Sequence, residues 1–94
     1  MQVKWLRKAL ANVEDEAAYI AQENPAAAVR FVETVFAAVA QLADYPALGR
    51  PGRVSGTREL VIADFPYIIP YRVRGQNVEI LRVFHTARMP PSVW

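Results

Sequence analysis

The hydrophobic period of this chain changes at Tyr45, and that change constrains the fold more than any other feature. Before it, apolar residues recur every three or four positions: Leu6, Leu10, Val13, Ala17 and Ile20, then Val29, Val32, Phe36, Val39 and Ala43. Each set draws an apolar stripe along a helix. Asn24-Pro25 separates them. Asparagine is a good N-cap, and proline suits the first helical position, where its missing N–H costs nothing. The spacing predicts one helix from Leu6 and a second over residues 25–43, joined so briefly that they must form an antiparallel hairpin. Pro46, Gly49, Pro51, Gly52 and Gly56 then exclude a regular element as far as Thr57. Beyond it the period shortens to two, and residues 58–63, 67–74 and 77–85 read as strands. Residues 1–5 also alternate, which suits a short strand.

The 94 residues leave room for one core, so residues 1–94 are expected to form a single domain. There is no cysteine, which excludes disulfides and thiolate metal sites and fits a reducing cytoplasm. A single histidine, His85, rules out a multi-histidine metal site. With no Gly-rich phosphate loop, HExxH or CxxC, neither metal nor cofactor is expected. No signal sequence is visible at the start, and Arg30, Glu33 and Gln41 make the longest apolar stretch too polar for a membrane span.

Charge is unevenly placed. Residues 1–49 carry four bases and six acids, a net of −2; residues 50–94 carry seven arginines against Glu59, Asp64 and Glu79, a net of +4. The second half has no lysine. Arginine captures carboxylate or phosphate bidentately, so Arg50, Arg53, Arg72, Arg74 and Arg88 are expected to serve a partner-binding surface. The strand over 77–85 is apolar on both faces, with Val78, Ile80, Arg82 and Phe84 on one and Glu79, Leu81, Val83 and His85 on the other. Two helices cover only one face of so small a sheet, so the other, the side of Leu81 and Val83, is expected to be either a concave site or the seat of a partner segment. Pro70 cannot donate to a ladder and marks its strand as an edge or as bulged.

Arg58, Arg72 and Arg82 fall on three strands expected to be neighbours, and converging guanidinium groups hold either a phosphodiester or a partner's acids. His85 is either a proton-transfer group or a hydrogen-bonded strand-end histidine. Arg72 and Arg74 share a face and serve phosphate, partner acids or solvent equally well. The run Glu14-Asp15-Glu16 reads as a wet helix face, and the strand aromatics read as core.

Taken together, Tyr45-Pro46-x-x-Gly49-Arg50, Arg58-Glu59-Leu60, Tyr71-Arg72-Val73 and Val78-Glu79-Ile80-Leu81-Arg82-Val83-x-His85-x-x-Arg88 resemble the RelE/ParE superfamily of bacterial type II toxins over about the whole chain. The resemblance implies an α+β fold, β-α-α-β-β-β, with the helix hairpin on one face of a small antiparallel sheet. It also implies a cytoplasmic toxin of the kind that stabilises plasmids, held in a hetero-oligomer by an antitoxin with an acidic flexible tail. RelE-like members cut mRNA on the ribosome, and for that activity Arg58, Arg82 and His85 are the candidate catalytic residues here. ParE-like members bind DNA gyrase without known catalytic residues. Residues 46–57 lack lysine, aspartate and glutamate, and no tyrosine follows Tyr71, so the resemblance leans to the gyrase-binding, non-enzymatic side.

Overall fold

The computed structural model describes residues 1–94. Strand β1 (Gln2–Trp5) leads into helices α1 (Arg7–Ala21) and α2 (Pro25–Ala40), the latter ending in a 3-10 turn over Gln41–Ala43. Strands β2 (Arg50–Pro51), β3 (Arg58–Val61), β4 (Tyr67–Arg74), β5 (Asn77–Ile80) and β6 (Phe84–His85) follow. They lie in the order β1-β5-β4-β3-β2, with β6 also beside β4. This is the expected α+β arrangement. β1 pairs parallel to β5 while every other pairing is antiparallel; the helix hairpin and strands β2 to β4 all lie between them in the chain, more than the crossover length a parallel neighbour requires. The two-residue strand β2 lies inside the stretch that its prolines and glycines had excluded from regular structure; two residues suffice to pair Arg50 with Glu59 and Pro51 with Arg58.

The hairpin forms at the predicted place, with Asn24 Oδ1 accepting from the Ala27 N–H at 3.0 Å and Pro25 opening α2. Its rotation differs from the predicted stripes. The sheet receives Ala9, Val13 and Glu16 from α1 and Ala28, Phe31, Val35 and Val39 from α2, while Leu10, Val29 and Phe36 are exposed. Both helices carry enough alanine and valine to offer two adjacent apolar stripes, and the sheet takes the one that packs Phe31 at a tilt against Tyr67, with centroids 4.8 Å apart. Phe36 stacks instead on Trp5 at 4.8 Å. By length and composition Pro25–Ala43 would pass for a membrane-crossing helix, yet its inner face is core.

The last predicted strand is broken. Tyr71 faces Ile80 and Ile68 faces Phe84, so Leu81, Arg82 and Val83 oppose only Ile69 and Pro70. This one-residue bulge sits at Pro70, where β4 has no N–H to give, and the Leu81 N–H reaches the Pro70 carbonyl at 2.9 Å. An extra residue reverses the alternation beyond it. Val78, Ile80 and Val83 therefore all join the helix-side core, whereas Leu81 and Phe84 lie outside it. The hairpin between β4 and β5 turns on Gly75 at φ 59°, the left-handed first position that a two-residue loop of type II′ needs.

Candidate partner-binding face

Alternation along β4 puts Tyr67, Ile69 and Tyr71 toward the helices, leaving Ile68, Pro70, Arg72 and Arg74 on the opposite face. Register adds Glu59, Val61 and Glu79 to that face. It is the side with no helix, and its floor is nevertheless dry: Ile68 is 1% exposed, Leu81 8% and Phe84 9%.

Over the β3 end of this face lies the 50–57 loop, held by Glu59. Glu59 Oε1 accepts from Arg50 Nε and Nη2 at 3.3 and 3.1 Å and from Arg53 Nη2 at 3.3 Å. Oε2 accepts from the Arg53 backbone N–H and Nε, both at 3.0 Å. Burial pushes this carboxyl up, but the Arg53 N–H and the two guanidinium groups more than reverse that, holding it below its ordinary value. Beside it Arg72 Nε meets Glu79 at 2.6 Å, and this hydrogen bond holds Glu79 below its ordinary value. Arg74, alone of the seven arginines in residues 50–94, has no intramolecular partner.

The other arginines do not converge here, contrary to the expectation from sequence. Arg58 turns to the helix side, donating through Nη1 to the Gly49 carbonyl at 2.7 Å. Arg82 Nε binds Asn12 Oδ1 on α1 at 2.9 Å. Arg88 Nη2 binds Glu16 Oε2 at 3.2 Å, and Glu16 also accepts the Tyr67 hydroxyl at 2.7 Å. Burial first, and then this contact with Glu16, push the Tyr67 phenol well above its ordinary value, so it stays a donor. Glu16 is thus a buried clamp between α1, β4 and residue 88, not part of a wet face. His85 lies edge-on against Tyr67 at 5.0 Å, and its Nδ1 accepts from the Ala87 N–H at 3.0 Å. Nor do Leu81 and Val83 share an uncovered side: the bulge sends Val83, 3% exposed, into the core.

Arg50, Arg53, Arg72 and Arg74 remain as a basic border, and two bases missed in the sequence extend it. Arg7 and Lys8, from the first turn of α1, line a groove of about 660 Å³ with Val54 to Thr57, Arg72, Leu81, Val93 and Trp94. Bases at a helix N-terminus oppose the helix dipole, where acids would be favoured by roughly 0.3–1 kcal/mol. The first turn of α1 has no acid and no side-chain cap. That local misfit was the available signal. The face as a whole combines buried apolar residues with a cationic rim.

A family profile described as the ParE toxin of the type II toxin–antitoxin system parDE matches residues 3–90. The candidate toxin Y4kP of Sinorhizobium fredii is 49% identical over 98% of this chain and 95% of its own length. Toxin RelE2 of Caulobacter vibrioides is 40% identical over 94% of this chain and 98% of its own. Among solved structures, a chain of the chromosomal ParDE system from P. aeruginosa superposes with a TM-score of 0.83 at 31% identity, covering 90% of this chain and 95% of that one.

Proposed function

The chain belongs to the ParE family of toxins from type II toxin–antitoxin systems, and on that footing we propose that it inhibits DNA gyrase by binding, not by catalysis. The observation that carries this reading is the dispersal of the residues an mRNA endonuclease would need. Arg58 is opposite Tyr71 on one side of β4 and His85 opposite Tyr67 on the other. Four residues along a strand and two strand spacings across put them roughly 16 Å apart at the backbone. A proton-transfer group has to stand within about 3 Å of the atom it serves. The two arginines are also engaged internally, Arg58 by the Gly49 carbonyl and Arg82 by Asn12.

In this reading the antitoxin neutralises the toxin by laying an acidic, otherwise flexible segment along the helix-free face. Arg50, Arg53, Arg72, Arg74, Arg7 and Lys8 supply the charge complement, and the exposed Val61 beside Ile68 supplies apolar area. Folding such a segment on the face buries both at once. The test is induction in cells that lack the antitoxin. A DNA-damage response with translation intact is the expected result; codon-linked mRNA cleavage with no damage response would replace this reading with the ribosome-dependent one.

A further inference from the structure

The chain after β6 changes character at Arg88. Up to that point it is firmly held: the Thr86 N–H and hydroxyl both donate to the Pro66 carbonyl, at 2.8 and 3.1 Å, and Arg88 is tied to buried Glu16. Beyond Arg88 no backbone–backbone hydrogen bond forms. Met89 is 91% exposed. Pro90-Pro91 has no N–H to offer and little backbone freedom to lose, so it directs the chain at small entropic cost. The segment then folds back, and Trp94 meets Phe84 edge-on with ring centroids 5.2 Å apart. The Trp94 carbonyl accepts from Arg82 Nη1 at 3.4 Å, long for such a bond. The indole Nε1 is buried without a partner. An unmade hydrogen bond of that kind weakens the seat.

What Trp94 closes is chemically specific. Leu81 lies in the wall of the groove and Phe84 lies under the indole, while Arg7, Lys8 and Arg72 stand around the rim. Such a groove fits a guest with an apolar body and an anionic group. We propose that residues 89–94 are a releasable strap, anchored at Arg88 and stiffened at Pro90-Pro91, with Trp94 plugging the Phe84 end of the groove it lines, so that the groove extends over Phe84 and accepts an anionic apolar guest once the strap lifts. That the strap competes with the antitoxin's acidic segment rests on the reading above; the plug itself does not.

In the full chain carrying Trp5→Phe, Trp94 is the sole tryptophan. Acrylamide is expected to quench it several-fold less in the folded protein than in urea, and equal quenching in the two states would overturn the proposal. Anilinonaphthalene sulfonate, an anionic apolar dye, is expected to bind the full chain weakly. It should bind Trp94→Ala, and a chain ended after Arg88, several-fold more strongly, with the gain reduced by Arg7→Ser and Lys8→Ser. No gain in variants that still melt cooperatively would also overturn it, and if those variants do not fold the quenching result decides. Equal antitoxin association rates for full and shortened chains, with the dye and quenching results as expected, would remove the competitor role and leave the plug standing.

Discussion

Replacing Glu59 by glutamine tests how the 50–57 loop is held over the sheet. The carboxylate is 2% exposed and receives five hydrogen bonds, two of them on Oε2 from Arg53. Glutamine keeps one acceptor oxygen, so its amide nitrogen confronts the other donors. The Arg53 and Arg50 side chains are 43% and 53% exposed and can turn to water, whereas the Arg53 backbone N–H cannot follow them. The cost therefore concentrates on one N–H that loses a charged acceptor, about 1.5–3 kcal/mol. In a domain of this size each kcal/mol lowers the melting temperature by roughly 4–8 °C. The folded carboxyl sits below its ordinary value of 4.5, so the unfolded chain binds the proton more readily as acid is added. The contribution of Glu59 is complete above that ordinary value and is lost as pH falls through the folded one. Urea melts of the wild type and Glu59→Gln between about pH 7 and pH 3 should show a neutral-pH deficit near 2 kcal/mol that shrinks on acidification. A deficit below about 0.5 kcal/mol at neutral pH, or one that is unchanged at the acid end, would refute the reasoning.

Gly49→Ala places a Cβ 2.6 Å from Tyr71 Cε1 and 2.9 Å from the Glu59 carbonyl, and Tyr71 is fully buried; a loss of about 1–3 kcal/mol in thermal melts is expected. Glu16→Ala leaves the buried Tyr67 hydroxyl without its acceptor and should cost about 1–3 kcal/mol, while Glu14→Ala and Asp15→Ala, both on the exposed side, stay within about 0.5 kcal/mol by the same melts. His85→Ala is expected to leave growth inhibition intact in cells lacking the antitoxin; its loss in a variant of unchanged stability would favour a catalytic histidine.

Much of the fold was legible because it depends on local signals. Asn24-Pro25 caps a helix through its own neighbours, and Pro70, lacking a donor, signals an interrupted ladder. Helix rotation was not legible, since α2 offers two apolar stripes and only the distant sheet chooses between them. Pro70 left an edge position or a bulge open; β4 proves central, and the extra residue lies in the facing segment 81–83, a one-residue slip that exchanges the faces of Val83, Phe84 and His85. For the site, the arginine excess pointed to a basic face, but sequence did not show that Glu59, Glu79 and Glu16 already hold most of those side chains. Arg88 finds Glu16 across 72 positions and Tyr67 finds it across 51, separations at which composition carries no pairing information.

The most direct measurement of the central claim is a cleavage assay with purified DNA gyrase, supercoiled plasmid and this protein. The account predicts accumulation of linear DNA covalently held by gyrase, abolished when the antitoxin is added first, and undiminished by His85→Ala. Unaltered gyrase activity at saturating protein, together with mRNA cleavage by the same preparation in a translating extract, would contradict it.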